Sequence, residues 1–113
     1  MKVSELTSSS RRVDIKLRIL SIETPRDVRT SRGSARVATA TAGDETGTIK
    51  LSLWNDDIDL VSEDSVIQIT NGYVKTFQGE KQLSSGIYGE LVVVDDPMFP
   101  SREAIMSGTA EED

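Results

Sequence analysis

Val13-Asp14-Ile15-Lys16-Leu17-Arg18-Ile19 alternates apolar and charged side chains, and Leu20-Ser21-Ile22 continues the alternation one place out of step. Alternation with a period of two marks a strand with one face in a core and the other in water. A one-residue slip in mid-run predicts a β-bulge, which bends and twists the strand. Small barrels use such a bend to let one long strand serve both sides of the closure. Thr24-Pro25 ends the run.

Outward from that strand, residues 27–34 are polar and basic, with Ser31-Arg32-Gly33-Ser34 as a turn signal. A second strand is expected over 35–42 and a third over 48–54, joined through Gly43-Asp44-Glu45-Thr46-Gly47 as a hairpin. Asn55 and the spaced apolar residues after it predict a short helix within 55–64. A fourth strand follows over 66–76, with an irregularity at Asn71-Gly72. Gln78-Gly79-Glu80 turns into a fifth strand over 81–85, and 87–94 either extends that strand or caps the barrel. The expected class is all-β: an OB-fold, a five-stranded Greek-key barrel with a short helix or helical turn between strands 3 and 4. Residues 1–95 form the domain. Residues 96–113, rich in Ser, Pro, Gly and acid, are expected to be a flexible acidic C-terminal tail.

Composition narrows the function. With 113 residues there is room for one domain and one small core. The chain has no cysteine and no histidine, which excludes disulfides, thiolate or imidazole zinc sites, a Cys nucleophile and a His base. Asp56, Asp57 and Asp59 lack the glycine and closing Glu of a calcium loop, and read as the acidic first turn of a helix. Gly43 to Gly47 lacks the GK[ST] ending of a phosphate loop. A binding protein is therefore expected rather than an enzyme, without cofactor or metal. No run approaches the roughly 18 apolar residues of a membrane span, and residues 1–5 lack the apolar core of a secretory signal. A cytoplasmic monomer, intracellular with the genome and free of membranes, is the expectation.

The net charge of −6 is unevenly spread: residues 1–40 hold nine Lys/Arg against four acids, and residues 41–113 hold four against fifteen. Surface fields depend on where charges sit, so an acidic chain can still carry a basic groove.

Two rows of side chains carry the chemistry. Over 48–54, Ile49, Leu51 and Leu53 share one face and Lys50, Ser52 and Trp54 the other. The wholly aliphatic set must face the core, which leaves the single tryptophan outside beside a lysine. In the fourth strand Tyr73, Lys75 and Phe77 share a face. Burying that row would desolvate Lys75 at a cost of several kcal/mol, so it too is expected outside. Aromatic rings on an open face offer stacking platforms for bases, and a lysine between them meets phosphate. Three of the five aromatics in the chain fall on these rows. The arginines at 26, 29, 32 and 36 crowd the loop and the second strand. Arg32 and Arg36 flank the hairpin beside Trp54, and Lys81 follows the later turn, so these three join Lys50 and Lys75 as candidate phosphate contacts.

The run Gly43-Asp44-Glu45-Thr46-Gly47-Thr48-Ile49-Lys50-Leu51-Ser52-Leu53-Trp54 resembles the GDETG…LW signature of archaeal single-OB single-stranded DNA-binding proteins. The SOSS complex B subunits and replication protein A domains are similar. Asn71-Gly72-Tyr73, Thr76-Phe77-Gln78-Gly79 and Gln82-Leu83 match the same family's fourth-strand and hairpin pattern, and the resemblance covers about residues 3–95. It implies that Trp54, Tyr73 and Phe77 stack on bases, in agreement with strand parity. Some relatives carry a further aromatic in the fifth strand, where this chain has Ser84; Tyr88 lies too far along to replace it. The expected function is sequence-tolerant binding of single-stranded DNA in replication, repair or recombination, with protein partners reached through the tail. An RNA-binding OB domain would use the same aromatics. A protein-interaction OB domain would present them as an interface patch.

Overall fold

The computed structural model describes residues 1–31, 33–85 and 89–110. Among them the chain forms seven strands: β1 (Arg11–Ile22), β2 (Arg26–Thr30), β3 (Gly33–Asp44), β4 (Gly47–Trp54), β5 (Val66–Phe77), β6 (Glu80–Ser84) and β7 (Glu90–Val94). Helix α1 (Asp56–Leu60) joins β4 to β5, α2 (Arg102–Ala110) follows β7, and a 3-10 turn (Val3–Glu5) precedes β1. The strands β1, β3, β4, β6 and β5 hydrogen-bond into a closed ring, with β5 returning to β1. All neighbours in the ring run antiparallel except β4 and β6. This is the OB fold, with its helix where the sequence predicts it.

The phase slip in β1 works as expected. Residues Arg11 to Arg18 pair with β5, residues Arg18 to Ile22 pair with β3, and the register shifts between Ile19 and Ser21. One bent strand thus closes the ring from both sides. Inside lie Val13, Ile15, Leu17 and Ile19 with Leu51, Leu53, Ile67 and Ile69, each fully buried. Burying side chains of this size contributes about 1.5–3 kcal/mol apiece.

Three expectations need amending. Residues 26–30, expected in a loop, form β2, which pairs with β3 from Arg26↔Val37 to Thr30↔Gly33. The physical reason is that the first half of β3 has unpaired backbone groups along one edge, and β2 satisfies them. Residues 90–94 continue the track of β6 along β5, from Thr70↔Glu90 to Val66↔Val94, as a separate strand β7. Residues 96–106 are not a free tail. The Arg102 guanidinium donates to Asp64 Oδ1 at 2.9 Å, Arg18 donates to the Pro100 carbonyl at 2.8 Å, and Lys16 pairs with Asp96 at 2.8 Å. Ile105 is 1% exposed and lies against the β3–β4 hairpin. A Cβ added to Gly43 would come within 3.2 Å of Ile105 Cγ2 and 2.6 Å of the Gly47 carbonyl, so only glycine lets these elements meet.

Candidate nucleic-acid interface

The outer face of the ring follows from register. Thr39, Ser52, Ser84 and Tyr73 lie opposite one another across β3, β4, β6 and β5, and Thr41, Lys50, Gln82 and Lys75 form the next row. Leu51 and Leu83 face the core, so these rows face out. Trp54 sits one row beyond Ser52, opposite Val37; Phe77 sits one row beyond Lys75, opposite Glu80. The sequence of rows is Trp54, then Tyr73, then Lys50 with Lys75, then Phe77. At about 3.3 Å of rise per residue the track is about 20 Å long.

The Trp54 end opens into a groove of ≈ 1240 Å³. Ser84, Ser85 and Gly72 line it beneath Trp54 and Tyr73. Gly72 is required there: a Cβ would meet Ile69 Cγ2 at 2.8 Å and the Ser84 carbonyl at 2.9 Å. Ser84 is fully buried opposite Tyr73, so the position where some relatives carry another aromatic belongs to the groove floor. Tyr88 lies outside the described residues. Phe77 is 48% exposed and lines a shallower depression with Lys50, Gln82, Glu23 and Glu80.

The predicted cations divide. Lys50 and Lys75 are half-buried members of one outer row, and Lys50 Nζ donates to Thr41 Oγ1 at 3.3 Å. Lys81 has the parity of Leu83, and its Nζ donates to the Leu6 carbonyl at 3.1 Å, which ties it to the N-terminal turn. Arg36 is one residue out of phase with Val37, which opposes Trp54, and pairs with Asp59 of α1 at 3.7 Å. The structure brings neither Lys81 nor Arg36 into the Lys50–Lys75 row. Arg32 lies outside the described residues, although its neighbours Ser31 and Ser34 line the groove.

Arg11 and Arg12, absent from the sequence-based set, also line the groove. Arg11 opposes Tyr73 and Val13 opposes Gly72, so Arg12 is an extra residue bulged out of β1. Its φ is +54°, a left-handed conformation that costs a non-glycine residue about 1–2 kcal/mol. A second bulge faces it at Asn71, φ +57°, whose N–H donates to Asp14 Oδ1 at 2.9 Å. Asn55, φ +51°, stands across the groove after Trp54. Left-handed non-glycine residues cluster where a bulge re-aims a side chain. Arg11 donates to the carbonyls of Ser10 and Val74 at 3.2 and 3.3 Å, and neither arginine has an ion-pair partner among the described residues.

Asp57, in the first turn of α1, is the remaining charged residue of the groove among the described residues. Burial, and then its neighbour Asp56, push its carboxyl up from the ordinary value. The groove thus combines guanidinium groups from β1, a carboxyl from α1, and the aromatic rings of Trp54 and Tyr73.

Comparison with known proteins fits this geometry. The family model for single-stranded DNA binding protein Ssb-like, OB fold, matches residues 8–93. The single-stranded DNA binding protein Ssb of Saccharolobus solfataricus is 30% identical over 108 residues, spanning 96% of this chain and 73% of its own. An OB domain from Thermoplasma acidophilum aligns with a TM-score of 0.74 at 21% identity, over 85% of this chain and 87% of that one. A chain of a replication protein A heterotrimer bound to ssDNA aligns with a TM-score of 0.70 at 23% identity, over 89% of this chain and 26% of that one. The latter two likenesses are of fold. Matched over most of its length, the chain belongs to the Ssb-like family of single-stranded DNA-binding OB-fold proteins.

Proposed function

We propose that the outer face holds single-stranded DNA by stacking bases on Trp54, Tyr73 and Phe77 while Lys50 and Lys75 meet the phosphates, protecting the strand during replication, repair or recombination. The observation that carries this reading is the order of rows along the face, aromatic, aromatic, paired lysines, aromatic. Each stacked base contributes about 1–3 kcal/mol and every base has a π-face, so sequence dependence along most of the track is weak. One OB unit covers about 4–6 nucleotides. Arg11 and Arg12 add positive charge at the Trp54 end.

Fluorescence anisotropy of a labelled oligo-dT, titrated across salt concentrations, tests the electrostatic half. If three or four phosphates are neutralised, the log–log slope of affinity against salt is about −2 to −3. A slope near zero would remove the lysines from the account. Competition with an RNA oligonucleotide of equal length decides the nucleic acid: stronger competition by RNA would overturn the assignment to DNA.

A further inference from the structure

A carboxyl group in a groove meant for a polyanion needs an explanation. Asp57 lines the cleft beside Trp54, and the nearby cation Arg36 is engaged with Asp59 instead. A phosphate placed against Asp57 would be repelled; a base edge rich in N–H donors would be held. The same cleft is lined by Arg12, bulged out of β1 and left without an ion pair among the described residues. A guanidinium presents a planar fork of donors, matched by two adjacent acceptors.

Of the four DNA bases, guanine answers both walls. Its N7 and O6 are the adjacent acceptors that arginine reads in bidentate fashion, and its N1–H and N2 amino group are adjacent donors for a carboxylate. Adenine and cytosine each offer a single amino donor with an acceptor nitrogen beside it, and although cytosine also has N3 and O2 as adjacent acceptors, neither base has the paired donors that a carboxylate takes in bidentate fashion. Thymine sets its one N–H between two carbonyl oxygens, which a carboxylate repels. From this complementarity we propose that the Trp54–Tyr73 end carries one base-selective position that prefers guanine, with Arg12 donating to N7 and O6 and Asp57 accepting from N1–H and the N2 amino group. The inference rests on the single-stranded DNA reading and deepens it: a sequence-tolerant track with one discriminating end. The upward displacement of the Asp57 carboxyl by burial agrees with a group withdrawn from water and awaiting a donor.

The test walks a single dG through an otherwise all-dT oligonucleotide and reads affinity at each position. One position should bind on the order of 5- to 10-fold more tightly than all-dT, whereas dA or dC at that position should not. Deoxyinosine there, which lacks the amino group, should lose part of the gain; 7-deaza-dG, which lacks N7, should lose another part. In Asp57→Asn the protein should cease to distinguish dG from deoxyinosine, and in Arg12→Lys, which keeps the charge but loses the fork, it should cease to distinguish dG from 7-deaza-dG. Asp57→Asn should bind all-dT within about twofold of the parent, and the thermal unfolding of both variants reports that they fold. Equal affinity for every dG position with all-dT binding intact would overturn the selective site and leave the stacking reading standing. A uniform change across all oligonucleotides in Asp57→Asn would equally overturn it, by making Asp57 a general electrostatic or structural group. Failure of the parent to bind any oligonucleotide would instead bring down the underlying reading.

Discussion

The two ends of the ring are built to opposite rules. At the Gly47 end of β4, polar groups are satisfied and apolar ones enclosed. Asp44, 1% exposed, accepts from the Val3 N–H at 3.0 Å and the Thr46 N–H at 2.8 Å, the 3-10 turn covers the hairpin, and Ile105 plugs it. At the Trp54 end Arg11 and Arg12 have no acidic partner among the described residues, and three left-handed non-glycine residues, Arg12, Asn55 and Asn71, line a groove. Left-handed residues occur toward the closed end as well, at Asp64 and Gln78, so the contrast lies in exposure: an open, unpaired end points to function, and closure points to stability.

If the ends are independent, their mutations should separate in measurement. The largest effect belongs to the closed end. Ile105→Ala, which empties a fully buried site, should lower unfolding free energy by about 2–5 kcal/mol in denaturant titration, while the folded variant binds oligo-dT normally. A parallel loss of affinity would mean that the two ends are coupled. At the open end the pattern should reverse. Trp54→Ala should weaken binding by about 1–3 kcal/mol and, because Trp54 is only half-buried, should shift stability by less than the Ile105 change.

The lysines sharpen the contrast within the face. Lys50→Ala and Lys75→Ala should each reduce the magnitude of the log–log salt slope by about 1, whereas Lys81→Ala, whose Nζ is bound to the Leu6 carbonyl, should leave it unchanged. A smaller slope in Lys81→Ala would extend the phosphate track to the N-terminal turn. The smallest effect is a trade. Arg12→Gly relieves a left-handed backbone and should raise stability by up to about 1 kcal/mol, yet weaken oligonucleotide binding. Loss of stability instead would show that the bulge is held for structural reasons.

The inner architecture was legible in the sequence because it rests on alternation. Val13 to Ile19 and Ile49 to Leu53 each present an aliphatic face that cannot be mistaken for the outer one, and parity then places Trp54, Tyr73, Lys50, Lys75 and Phe77 without reference to neighbours. The slip after Ile19 and the irregularity at Asn71-Gly72 were readable for the same reason. Features that depend on partners distant in sequence were not. β2 exists because β3 has an unsatisfied edge, and its own five residues carry only Val28 as an apolar anchor. The C-terminal segment is held by one isoleucine and by bonds from Arg18 and Arg102 to remote carbonyls. Arg36 is next in sequence to Val37, which opposes Trp54, and that difference of one residue in phase sends it toward Asp59. Arg11 and Arg12 escaped because their direction is set by a bulge at an arginine with positive φ, which no residue preference announces.

The central claim is that bases stack on this outer face, and the single tryptophan of the chain reports on it directly. Trp54 fluorescence should be quenched, saturably, as short oligo-dT is added at low salt, and the curve should shift to higher oligonucleotide concentration as salt is raised. An unchanged Trp54 signal, together with no retardation of the oligonucleotide in a gel, would contradict the account and turn the exposed aromatics into a surface for another protein.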